Sequence, residues 1–129
     1  MNTREELIEK KNKLREDIHA IEDMINKLDY ESRLSYAKSI VGKYYKELDV
    51  SDGFHYYVYV HGLNLNTLEL HAIEIDYCDI DINWFYIQHK SHFEVQDHSC
   101  NIEYEEVTKE EFIKHYNTVM NNINTLVKL

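Results

Sequence analysis

Apolar positions near the start of the chain recur with a period of seven. Leu7, Leu14, Ile21 and Leu28 are seven residues apart, and Ile18 and Ile25 follow Leu14 and Ile21 by four. This repeat predicts a coiled-coil-like helical seam, interrupted by Lys11. Thr3 followed by Glu6 predicts a capping box at its start. Glu6 with Lys10 and Glu9 with Lys13 supply i,i+4 charge pairs for an exposed helix face. The seam loses register after Leu28. Leu34, Ala37, Ile40 and Val41 resume an offset apolar stripe, which fits one helix with a rotated face or two helices parted at Asp29-Tyr30. Gly42 is the natural stop. Such a seam can join a second copy or pack on the chain's own sheet. Its narrow stripe and balanced charge favour self-association, as a homodimer.

After Gly42 the period changes from helical to alternating. Phe54 to His61 is rich in aromatic and β-branched residues, with Ser51-Asp52-Gly53 before it and Gly62 to Asn66 after it. With a return strand from Thr67 to Tyr77 it reads as an antiparallel hairpin. Phe54, Tyr56, Val58 and Val60 share a core-like face; His55, Tyr57, Tyr59 and His61 share an aromatic face with polar tips. Tyr44 to Lys46 reads as a short first strand and Asn83 to Phe93 as a third long one. Residues 94–101 read as loop. Ile102 to Val107 reads as an edge strand whose acidic side chains discourage edge-to-edge pairing. Thr108-Lys109-Glu110-Glu111 opens a last helix, with Phe112, Tyr116, Val119, Ile123 and Leu126 on its core face. The expected fold class is α+β: a helical segment over 1–42, then over 43–129 a small antiparallel sheet of four to five strands with a C-terminal helix packed on it.

Charge divides the chain at almost the same place. Residues 1–48 hold ten acidic and ten basic side chains; residues 49–129 hold fourteen acidic and four basic, and so the whole net charge of −10. So acidic a segment is repelled by phosphates and attracted to basic protein surfaces, which excludes direct nucleic-acid binding. No signal-peptide core and no apolar run of membrane-spanning length occurs, so the expected setting is the cytoplasm, away from membranes. Cys78 and Cys100 are then expected as reduced thiols.

Few residues nominate chemistry. His89, His92, His98 and Cys100 carry zinc-type ligand atoms, but His89 and His92 point to opposite faces of a continuing strand and no Cys-x2-Cys knuckle is present. Glu74, Asp76, Asp79 and Asp81 could offer oxygen ligands but lack the spacing of an EF-hand loop. No phosphate-binding Gly loop or nucleophile elbow occurs, and neither Cys is flanked by the usual catalytic residues. The expectation is a protein without catalytic residues, metal or other cofactor. Tyr57, Tyr59, Trp84 and Tyr86 remain as sheet-face aromatics able to pack or to bind a protein partner.

The run Ile40-Val41-Gly42-Lys43-Tyr44-Tyr45-Lys46 leading into the hairpin resembles small accessory proteins of the anti-defence type, encoded by phages and prophages of Gram-positive bacteria. Glu106-Val107-Thr108-Lys109-Glu110-Glu111-Phe112, opening the last helix, carries the same resemblance. It implies a phage setting, in which small acidic proteins block host defence nucleases, and it carries over no functional residue. The leading expectation is a non-enzymatic inhibitor of a CRISPR effector or restriction-type nuclease. Its acidic surface would be Glu69, Glu74, Asp76, Asp79, Asp81, Glu103, Glu105 and Glu106, competing with nucleic acid. The alternatives are an oligomeric assembly protein acting through Leu7, Leu14, Ile18, Ile21, Ile25 and Leu28, and a protein sequestering a small molecule on its aromatic face.

Overall fold

The computed structural model describes residues 3–97 and 102–128, in two compact units that part between Tyr36 and Ala37. The first unit is helix alone. Helix α1 spans Arg4–Ile40 without a break, so Asp29-Tyr30 is neither a bend nor a hairpin. Its start carries the expected reciprocal cap: the Glu6 N–H donates to Thr3 Oγ1 and the Thr3 N–H to Glu6 Oε2, both at 3.2 Å. Every residue from Thr3 to Arg33 is exposed, the seam included. The last turn of α1 belongs to the second unit, where Ala37 and Ile40 are buried. The compact units therefore part inside the helix, while the change from helix to strand falls at Gly42. Gly42 ends α1 in the left-handed region (φ 90°), donating its N–H to Val60 O at 2.7 Å.

The second unit is an antiparallel sheet with helix α2. Strands β1 (Tyr44–Glu47), β2 (Phe54–Leu63), β3 (Leu70–Cys78) and β4 (Phe85–Phe93) form a meander, and β6 (Ile102–Val107) pairs with β1. The two residues of β5 (Gln96–Asp97) pair with β6 and give the order β4-β3-β2-β1-β6-β5. Strand limits shift for local reasons. A bulge at His61 lets β2 run on to Leu63. The β2–β3 loop is held by Asn64, whose Oδ1 accepts N–H bonds from Asn66 (2.9 Å) and Thr67 (3.2 Å), so β3 starts late. Asp81 likewise holds the β3–β4 turn through the Asn83 N–H at 2.9 Å, and β4 begins at Phe85. Within 94–101, expected as loop, Gln96–Asp97 pairs as strand.

Both faces of the sheet are packed, the aromatic one as well as the aliphatic one. Val58, Val60, Leu70 and Ala72 on one face meet Ala37, Ile40, Tyr45 and Phe93. Tyr57, Ile75 and Tyr77 on the other meet Phe112 and Val119 of α2 (Lys109–Val127). Thr108 caps α2 as expected, accepting the Glu111 N–H at 3.1 Å.

Candidate functional site

One end of the sheet gathers loops that bear exposed carboxylates and apolar side chains together. The Asp79 N–H donates to Gly53 O at 2.8 Å, which seats the β3–β4 turn beside the β1–β2 loop. The Leu48 N–H donates to Glu103 O at 2.8 Å and brings the start of β6 to the same end. Asp49, Asp52, Asp79, Asp81 and Glu103 are all exposed there. Among them Ile80 stands 87% exposed, with Ile82 at 40%. Trp84 is packed close by, edge-on to Phe54 with ring centroids 5.1 Å apart and to Tyr86 at 5.6 Å. An aliphatic tip within a ring of carboxylates has the composition of a protein contact.

The other carboxylates expected on an acidic surface lie elsewhere. Glu105 pairs with Lys46 at 3.7 Å and Glu106 with Lys43 at 3.6 Å, which offsets part of their charge. Glu69 faces His92 at 3.8 Å, beside the β2–β3 loop. Glu74 and Asp76 are buried, at 5% and 7% exposure, on the face shared with Val58. They were expected on the acidic surface, but Tyr56, Gln88 and Lys90 surround them on this face. Glu74 accepts from Gln88 Nε2 and pairs with Lys90 Nζ at 3.2 Å. Asp76 Oδ1 is buried without a hydrogen-bond partner among the described residues. Burial, and then the Glu74 charge, push the Asp76 carboxyl up to about 7, with Glu47 adding to the rise and Lys90 opposing it. Burial and then Glu74 also push Glu47 up.

The expected aromatic face divides in two. Tyr57 and Tyr59 point towards α2, whereas Tyr86 and Trp84 lie on the opposite side with Tyr56. Tyr57 stacks on His115 at 4.0 Å, and burial pushes its phenol up to about 12. The phenol of Tyr77 meets His115 Nδ1, and His55 stacks on Tyr77 at 4.6 Å. Burial first, then the neighbouring His55, push His115 down to about 4, so it is a neutral ring at physiological pH. His55 Nε2 lies 2.9 Å from Asp79 Oδ2. Lys46, Ser51, His55, Tyr57 and His115 line a shallow cleft of about 450 Å³ together with the β1–β2 loop. This stack of His and Tyr rings was not anticipated from the sequence. Position 115 carried no sign of it, because the partners of His115 come from β2 and β3.

Of the zinc-type candidates, His98 and Cys100 lie outside the described residues. His89 approaches His61 (Nε2–Nε2 3.0 Å), whereas His92 faces Glu69 and Glu94. His71 joins the first pair, with ring centroids 5.9 Å from His89. Even so, no group of three or more His, Cys, Asp or Glu among the described residues is placed to hold a metal ion. Cys78 is a buried free thiol. No helix among the described residues is long and apolar enough to cross a membrane. No protein-family model, curated protein or solved structure matches the chain.

Proposed function

We propose that this is a non-enzymatic binding protein whose acidic loop end docks on a basic, nucleic-acid-handling surface of a partner protein and competes there with nucleic acid. The observation that carries the reading is the exposed Ile80 and Ile82 among Asp49, Asp52, Asp79 and Asp81. Carboxylates in that number supply long-range attraction to a basic groove, and the isoleucines supply apolar area to bury once docked. The resemblance to phage accessory proteins suggests the partner class, a host defence protein such as a CRISPR effector or restriction-type nuclease. Glu74 and Asp76 are not part of this surface, since they are buried.

The test is capture of partners from bacterial lysate by the immobilised protein, with and without added nuclease, at 0.15 and 0.5 M salt. The reading expects a nucleic-acid-handling protein whose recovery improves after nuclease treatment and falls at about 0.5 M salt, where exposed charges are largely screened. It expects D52K/D79K/D81K to abolish that recovery. Equal recovery by the charge-reversed variant would sink it.

A second reading is favoured by a separate observation. The seam residues Leu7, Leu14, Ile18, Ile21, Ile25 and Leu28 are 51–63% exposed, so α1 presents an apolar stripe. Self-association through that stripe is compatible with the docking role, and it would stand alone if the acidic end proved inert.

A further inference from the structure

The exposed seam specifies more than a second copy. Taking α1 as one continuous helix, the 3,4 spacing of Ile18, Ile21, Ile25 and Leu28 puts Ile18 and Ile25 at heptad position a, and Leu7, Leu14, Ile21 and Leu28 at d. Lys11 then occupies an a position. The flanking e positions are Ile8, Arg15, Glu22 and Asp29, and the g positions Lys10, Asp17, Met24 and Glu31. These flanks choose among the ways two copies can meet.

A parallel, in-register pair brings each g residue against the e residue of the next heptad in the other copy. That opposes Lys10 to Arg15 and Asp17 to Glu22, each twice, and stacks Lys11 on its own copy. Every charged g–e pair among these is repulsive. An antiparallel pair instead opposes a to d, e to e and g to g. In the register that sets Ile18 against Ile21 of the second copy, Leu14 meets Ile25 and four central layers are wholly apolar. Arg15 then faces Glu22 and Lys10 faces Glu31, each twice, and Lys11 lies opposite Leu28. No charged flank meets its like. A slip of one heptad in one direction sets Asp17 on Asp17 and Arg15 on Arg15; a slip in the other sets Glu22 on Glu22 and Asp17 on Glu31. Among these arrangements, only this direction and register bring no like charges together.

We propose that α1 is the interface of an antiparallel homodimer, with Ile18 packed on Ile21 of the second copy and Arg15 paired with its Glu22. This rests on the self-association reading and adds a direction and a register to it. An exposed apolar stripe on a helix gains its stability from a partner, and like charges across an interface act against a partner in the wrong register.

Direction is readable because one substitution has opposite signs in the two arrangements. Sedimentation equilibrium of the full chain would compare wild type, R15E and R15E/E22R. The antiparallel dimer expects R15E to weaken association on the order of ten-fold, as two attractive pairs become two repulsive ones. It expects R15E/E22R to restore association to within about three-fold of wild type. A tighter dimer for R15E would overturn the proposal in favour of the parallel pair, because it would relieve the Lys10–Arg15 repulsion. A dimer indifferent to both variants would place the interface away from α1. A wild-type chain that is monomeric at every concentration would instead remove the underlying self-association reading.

Discussion

Residues 4–36 and residues 37–128 solve the problem of burying apolar side chains in opposite ways. The β-unit closes both faces of its sheet from within, leaving Val58, Val60, Ala72, Ile75 and Val119 with no exposure at all. The helix has a comparable supply of Leu and Ile and buries none of them before Ala37. Charge follows the same division: residues 4–36 hold nine acidic and seven basic side chains, whereas residues 37–128 hold fifteen and seven. A region with an internal core can spend its loops on recognition. On the proposed self-association, a region without one takes its stability from a second copy. Where apolar residues are exposed is therefore a guide to what each region does.

Core truncation should separate the regions most sharply. Ile75→Ala is expected to cost the β-unit about 3 kcal/mol in urea unfolding, since it leaves a cavity at a fully buried site. A smaller effect comes from Asp76. Asp76→Asn removes a buried carboxylate that ionises near pH 7 and is expected to stabilise the β-unit by about 2 kcal/mol at pH 8, measured by the same titration. Thr108→Ala, which deletes the α2 cap, should cost about 1 kcal/mol. The smallest effect belongs to Ile21→Ala, expected to change β-unit unfolding by less than about 0.5 kcal/mol while weakening self-association.

The two sheet faces also differ in how they respond to acid. The folded-state pKa of Asp76 is raised, so the folded chain holds a proton that the unfolded chain has lost, and stability falls as pH rises from about 4 to about 7. The pKa of His115 is lowered to about 4, so the unfolded chain binds a proton that the folded chain refuses. That stability is present above about pH 6.5 and is lost as pH falls towards 4. Between pH 4 and 6.5 the two slopes oppose each other. Removing Asp76 as Asp76→Asn should therefore uncover a stability that rises with pH over that window, as thermal melts in a pH series would show.

Much of the architecture was legible from periodicity. The helical spacing of the seam, the Thr3 capping box, the Thr108 N-cap and the alternation of β2 each rest on neighbours within four residues, and each is realised in the structure; at α2 only the Thr108 half of the expected box is formed. Features that depend on distant partners were not legible. The continuity of α1 through Asp29-Tyr30 has no local signature, because a rotated stripe and a bend share one pattern. Glu74 and Asp76 read as surface carboxylates, because their burial depends on Tyr56 of β2 and Gln88 and Lys90 of β4. His115 reads as one more helix residue until β2 and β3 bring Tyr57 and Tyr77 against it.

Hydrogen exchange of the full chain at low and high protein concentration compares the two regions most directly. The account predicts that backbone amides of the β-unit strands are equally protected at both concentrations. Amides of residues 7–33 should gain protection only as concentration rises, because the second copy supplies what the helix lacks. Protection of residues 7–33 that is high and independent of concentration would contradict it, and so would protection that never develops.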